Sequence, residues 1–332
     1  MATTSQFIER FMIINVPTPA KLNDVSLRLY FSAWSSLIEI WSDFCREFEG
    51  FGPLDSAGWD DEWMEYLQAS QAEMQSIFSL VQHSNELALK AMVCEVSPYL
   101  LLIGNDLKLS SALTRDLAFS DFRTIDAVDL PAAVNNFCPR KLTARFVQTY
   151  SDIRAFRNRF VHLGLSDRSL DPFELLRSMI AIYAELWPQR SWLKDRVTFA
   201  SQERIAFFAD GRVFSVHEVV MEEQKFNIEL FTKSEFKIVF GDAKSKRRYF
   251  CFDCVDAAKT KWFENYDDSS KTAFISSDNN ERLRCAMCCK TFTIKRLPCG
   301  HDSCKGNVIG DHNDNNEGRC HSCGEYQNEG ND

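Results

Sequence analysis

Apolar residues recur at three- and four-residue steps through most of the first 190 positions, the period of amphipathic helices. Candidate helices cover 24–48, 59–103, 140–163 and 172–187, with shorter pieces between. A continuous helix over 59–103 exceeds the usual length in globular domains, so a break is expected near Ser84 or Pro98. Asp171-Pro172-Phe173-Glu174 has the acidic cap, first-turn Pro and capping-box Glu of a helix start. After Val197 the pattern changes to short β-branched and aromatic runs. Arg204–Ala209 and Arg212–Val220 flank Asp210-Gly211, a favoured two-residue hairpin turn, and Asn227–Phe231 and Phe236–Phe240 read as further strands. The expected organisation is a mainly α bundle over 1–195, a small β-rich segment over 196–250, a Cys-rich module over 251–325 and a tail over 326–332. Residues 264–280 and 311–332 are polar and read as loops and a disordered tail, apart from Cys320 to Cys323.

Composition adds few restrictions. The 332 residues, with 45% apolar side chains and 27 Phe, can build two cores. No apolar run reaches the ~18 residues that span a bilayer, and the most apolar segment, Ala91–Ile103, is interrupted by Glu95 and Pro98. The first residues lack the pattern of a signal peptide, so a cytoplasmic location without a membrane is expected. A net charge of −9 argues against indiscriminate coating of nucleic acid. Charge is uneven, however: between Arg140 and Arg159 six basic residues face the single acid Asp152. Arg145 and Arg159 of that group read as a solvated helix face. P-loop, GxGxxG, H-E-x-x-H and GxSxG patterns are all missing.

Cysteine usage separates the two ends of the chain. Cys45, Cys94 and Cys138 are scattered and read as small buried hydrophobes. The other nine lie between Cys251 and Cys323, with three CxxC pairs among them. A two-residue gap lets both thiolates of a knuckle reach one tetrahedral ion, whereas a disulfide framework does not suit a cytoplasmic chain. The simplest assignment is sequential: Cys251, Cys254, Cys285 and Cys288 hold one zinc, and Cys299, Cys304, Cys320 and Cys323 a second. His301 could replace Cys299 or Cys304, and Cys289 could replace Cys288. None of these sets leaves an open coordination position, which points to structural zinc in a ribbon-like module. Leu297–Cys304 resembles the middle of a RING finger, but Asn307 stands where the next Cys would be, and a ubiquitin-ligase reading is rejected.

The candidate chemistry lies on the helix leading to Val161. Leu142, Phe146, Tyr150, Ile153 and Phe160 form its apolar stripe, and at about 100° per residue Arg157 falls within that stripe. Arg154, Asn158 and His162 follow at steps of four along one edge, and Gly164 supplies a stop. A guanidinium on an apolar face needs a partner or an anion. One solution is a structural pair with a core carboxylate such as Glu86 or Glu95, beside a solvated His162. The other is a phosphate.

Arg157-Asn158-x-x-x-His162 resembles the R-N-x-x-x-H signature of the HEPN superfamily, whose domains are helical, and the resemblance covers roughly residues 25–190. It implies a ribonuclease without a catalytic metal that works as a homodimer, two motifs facing one cleft, and leaves 2′,3′-cyclic phosphate and 5′-hydroxyl ends. Arg157, Asn158 and His162 would be its catalytic residues, with Arg154 binding RNA. An Arg on an apolar stripe fits such an interface, so the face carrying Phe146, Tyr150 and Ile153 is expected to meet a second copy. The resemblance further suggests a toxin or anti-phage role. The alternative is a non-catalytic HEPN-like dimer that binds nucleotide or protein partners through its zinc module.

Overall fold

The computed structural model describes residues 12–48, 58–103, 116–163, 170–209, 215–260, 267–311 and 316–327. Among them are ten α-helices: α1 (Pro19–Glu47), α2 (Asp60–Ala69), α3 (Gln71–Val96), α4 (Leu130–Phe137), α5 (Ala144–Leu163), α6 (Pro172–Leu186), α7 (Trp192–Ala200), α8 (Val216–Leu230), α9 (Lys233–Phe240) and α10 (Phe252–Ala258). Two short strands, β1 (Ile13–Ile14) and β2 (Leu117–Ala118), pair in parallel. Strands β3 (Ala273–Ile275), β4 (Arg282–Cys285), β5 (Thr291–Lys295) and β6 (Ile309–Gly310) form an antiparallel sheet in that order. The chain is therefore mainly helical, with its small sheet in the Cys-rich region. No helix among the described residues is long and apolar enough to cross a membrane.

The chain packs as two compact units, one drawn from Met1–Ala33 and Glu73–Leu170, the other from Trp34–Ala72 and Asp171–Asp332. Helix α1 supplies residues to both. It begins beside Thr18, whose hydroxyl accepts from the Lys21 N–H at 3.3 Å, with Pro19 in the first turn where its missing N–H costs nothing.

In the first unit, Leu27, Tyr30 and Phe31 of α1, Ile77, Val81 and Leu89 of α3, Val134 of α4, and Phe146, Tyr150 and Ile153 of α5 are all buried. The break expected near Ser84 is not there. Ser84 lies inside α3, where its hydroxyl donates to the Ser26 carbonyl at 2.8 Å and the Ser26 hydroxyl returns a bond to the Ser84 carbonyl at 2.7 Å. Small side chains with reciprocal bonds let α1 and α3 approach closely with both serine hydroxyls satisfied. The helical run is interrupted instead at Ser70, and α3 ends before Pro98, which opens a 3-10 turn capped by Ser97. This agrees with the second of the two expected break points.

In the second unit, Trp34 packs edge-on against Trp192 at 4.6 Å and Trp41 against Phe173 at 5.1 Å. Asp171 caps α6 by accepting from the Phe173 N–H at 2.8 Å, as its sequence suggests. Arg196, 1% exposed, is held by Glu223 through Nη2 at 2.5 Å and Nε at 3.0 Å, and by Glu203 through Nη1 at 2.8 Å. A buried guanidinium held by carboxylates through Nε, Nη1 and Nη2 has its charge compensated and its three nitrogens hydrogen-bonded, the condition under which it is tolerated.

The strands expected over 196–250 are not formed among the described residues, and this corrects the sequence reading. Arg204–Phe208 is a 3-10 turn, Val216–Val220 and Asn227–Leu230 belong to α8, and Phe236–Phe240 belongs to α9. Asp210-Gly211, the expected hairpin turn, lies outside the described residues. The physical reason is the spacing of what is buried: Val220, Gln224, Asn227 and Leu230 in α8, then Phe236, Val239 and Phe240 in α9, repeat at three and four. Helix α9 also has a complete capping box: Thr232 Oγ1 accepts from the Glu235 N–H and the Glu235 carboxylate accepts from the Thr232 N–H. Phe236 and Phe240 then pack edge-on against Phe274 of β3.

Candidate functional site

Two groups of four cysteines are the best-defined site. Cys251, Cys254, Cys285 and Cys288 form one, and Cys299, Cys304, Cys320 and Cys323 the other, with the sulfurs of each group within 4.8 Å of one another. The Sγ–Sγ separations are 3.7 Å for Cys251–Cys288 and Cys254–Cys285, 3.8 Å for Cys299–Cys323 and 4.0 Å for Cys304–Cys320. A tetrahedral zinc with ligands at about 2.3 Å requires sulfurs about 3.8 Å apart. Disulfide sulfurs would be about 2.0 Å apart. The two clusters fit two structural zinc ions per chain, in sequential order with no ligand of one interleaved between those of the other. His301 is exposed and Cys289 half-buried, and neither belongs to a group.

Local backbone geometry makes each group. In the knuckle at Cys285 the amides of Met287 and Cys288 point at the Cys285 sulfur at 3.3 and 3.5 Å, and the Cys285 N–H donates to the Lys290 carbonyl. The knuckle at Cys320 repeats this, with the Ser322 amide on the Cys320 sulfur at 3.4 Å and the Cys320 N–H on the Glu325 carbonyl. Gly324 follows the second knuckle with φ 89°, whereas Cys289 occupies the same left-handed position in the first with φ 60°. Gly306 lies so close to the second group that a Cβ there would meet Ser322 at 2.6 Å and the Cys304 sulfur at 3.1 Å. Contacts among the thiols, first with Cys251, push Cys254 well above the usual thiol range and hold Cys288 well below it. Four sulfurs this close ionise together only when a cation neutralises them.

A feature missed in the sequence joins the two groups. Phe250, next to Cys251, donates its N–H to the His321 carbonyl at 2.8 Å, and His321 Nδ1 lies 2.8 Å from the Phe250 carbonyl. The His321 ring packs on Phe252 at 4.7 Å, and the Arg319 guanidinium lies 3.8 Å from the Phe252 ring centre. His321 is 1% exposed, and burial lowers its pKa to about 4, so it is neutral at ordinary pH. The Nδ1 position relative to a carbonyl assigns Nδ1 as the protonated nitrogen. Only the run of aromatic residues around Cys251 hinted at this packing.

Helix α5 carries the second candidate site. Thr143 starts it by accepting from the Phe146 N–H at 3.2 Å, four residues later than the pattern suggests. Leu142, Phe146, Tyr150 and Ile153 are buried, and the Tyr150 hydroxyl donates to the Ala127 carbonyl at 2.7 Å. These residues fill the chain's own core, which corrects the expectation that they face a second copy. Arg157, one turn past Ile153, is half-exposed and donates from Nη1 to Asn158 Oδ1 at 3.3 Å. No carboxylate pairs with Arg157 among the described residues. Glu86 instead accepts from Gln82 at 3.1 Å and, after burial, helps raise the Tyr150 phenol; Glu95 likewise adds to the raised thiols of Cys94 and Cys138. Arg154 is half-exposed, within electrostatic reach of Tyr150. Arg145 and Arg159 are exposed. His162 lies in the last turn of α5, described as helical backbone, and Gly164 falls outside the described residues.

No family model matches the chain, and neither do any curated protein or solved structure. The likeness to HEPN domains rests on Arg157, Asn158 and His162 and on their helical setting.

Proposed function

We propose that the chain is an endoribonuclease of HEPN type, with its reacting groups on α5 and its zinc ions serving a structural role. The observation that carries this reading is Arg157. Its guanidinium is half-exposed, oriented by Asn158, and has no carboxylate partner among the described residues. A fork of N–H donors with no carboxylate partner among the described residues, on the same helix as Arg154 and Arg159, suits a phosphodiester. Position 162 follows Asn158 by one helical turn and brings a group that exchanges protons near neutral pH.

RNA supplies its own nucleophile, so the protein needs only proton transfer and charge stabilisation. The 2′-oxygen attacks the adjacent phosphorus while His162 takes the hydroxyl proton. Arg157 holds the non-bridging oxygens as negative charge builds on them. The bond from phosphorus to the 5′-oxygen breaks, and that oxygen receives a proton. The products are a 2′,3′-cyclic phosphate and a 5′-hydroxyl. One His per chain serves one of the two proton transfers, so a homodimer that joins two motifs around one RNA strand supplies the other. The zinc module selects or admits RNA and takes no part in bond cleavage.

Substitution tests the assignment. His162→Ala and Arg157→Ala each abolish cleavage while retaining the helical circular-dichroism signal, and Arg157→Lys remains poor because an ammonium does not reproduce a bidentate contact. Equal cleavage by wild type and His162→Ala removes the assignment.

A further inference from the structure

Beside Arg157, α5 carries a cluster of rings at the half-buried edge where it packs on α3. Phe156 lies against Phe78 of α3 at 5.1 Å and against Phe160 at 5.4 Å, and all three are only half-buried. The Arg159 guanidinium sits 5.9 Å from the Phe156 ring centre. At about 100° per residue, Phe156 and Phe160 fall on one flank of Arg157, and Asn158 and position 162 on the other. From Arg154 to Leu163 the helix has three arginines and no acid, and the α3 stretch Met74–Asn85 has no acid either. Two copies of this face in direct contact would set arginines against arginines, whereas the dimer proposed above keeps RNA between them. A nucleotide supplies what the surface lacks: a flat base for the rings and a negative phosphate for the guanidinium.

We infer that Phe78, Phe156 and Phe160 form a stacking platform for one unpaired base, next to the phosphate held by Arg157. The platform makes the enzyme select single-stranded RNA, because a base in a duplex cannot turn onto a protein ring without leaving its stack. The inference rests on the reading of α5 as the RNA-contacting helix and adds to it the residues that hold the base beside the phosphate.

The test uses the full chain carrying His162→Ala, which binds without cutting, and a short single-stranded RNA containing one 2-aminopurine. Stacking quenches the probe on binding. Adding Phe156→Leu removes the quench and weakens binding about 5- to 10-fold, and Phe156→Trp restores both. On the same RNA with an abasic nucleotide in place of the probe, Phe156→Leu changes nothing. Unchanged binding and quench in Phe156→Leu, with its helical signal intact, overturn the inference. So does a dimer that Phe156→Leu dissociates while each chain's RNA affinity stays the same, since the rings then seal a protein contact. The two readings fail separately. Quench and Phe156 dependence without any cleavage by wild type leave the platform standing and remove the nuclease. Cleavage that depends on His162 but is indifferent to Phe156→Leu does the reverse.

Discussion

Truncating His321 should uncouple the two zinc sites. In wild type its ring bonds the Phe250 carbonyl at 2.8 Å and packs on Phe252 at 4.7 Å, so the knuckle at Cys320 supports the knuckle at Cys251. His321→Ala leaves the backbone bonds from Phe250 to His321 and from His321 to Val308 in place. It strips the Phe250 carbonyl of its ring donor in a buried position, which costs about 1–3 kcal/mol. Lost ring packing adds about 0.5–1.5 kcal/mol. The joint is therefore worth about 1.5–4.5 kcal/mol, or roughly 10- to 1600-fold in affinity at 1.4 kcal/mol per tenfold. Because zinc binding and folding of such a module share one free energy, weakening the joint weakens metal binding. The assay is release of zinc to a chelator of graded concentration, counted per chain. Wild type should hold two ions and lose both in one step. His321→Ala should lose them in two steps, the first at least about 10-fold easier. His321→Gln, whose amide can still donate to Phe250, should lie between. Identical release curves for wild type and His321→Ala would refute the coupling, and one zinc or none in wild type would refute the sequential pairing itself.

Three further outcomes follow from other parts of the molecule. Glu223→Ala leaves Arg196 buried with only Glu203 and should lower stability to urea by about 3 kcal/mol; an unchanged midpoint would mean the pair is energetically idle. Cys289→Gly relieves a left-handed residue outside both sulfur groups, so it should keep both zinc ions and gain up to about 1 kcal/mol, while loss of an ion would make Cys289 a ligand. Mixing His162→Ala chains with wild type should lower RNA cleavage as the square of the wild-type fraction, and a linear fall would mean that each chain cuts alone.

The parts legible in the sequence are those set by neighbours in the chain. A CxxC pair fixes its own knuckle, so three such pairs place six of the eight ligands. Cys299 and Cys304, with four residues between them and lying between the second and third pairs, follow from order alone, with His301 and Cys289 left open as alternates. The Asp171 cap of α6 is equally local. Residues 204–240 were misread because short apolar aromatic runs suit strand and helix alike, although Thr232 and Glu235 already stood at capping-box spacing. The joint between Phe250 and His321, 71 residues apart, and the Ser26–Ser84 exchange, 58 apart, depend on the folded chain and have no local signature. On α5 the sequence located the helix and the arginines. It did not show that, among the described side chains of α5, the buried ones end at Ile153, with Arg157 half-exposed and hydrogen-bonded to Asn158 rather than paired with Glu86 or Glu95.

If α5 cleaves RNA through the 2′-hydroxyl, as proposed, the ends of the product carry the mark of that chemistry. Purified chain is incubated with a single-stranded RNA and with the same sequence 2′-O-methylated throughout, beside His162→Ala. The account predicts 2′,3′-cyclic phosphate and 5′-hydroxyl ends from the unmodified RNA alone, and no product from the variant. Cleavage of the methylated strand, 5′-phosphate ends, or equal cutting by His162→Ala would contradict it.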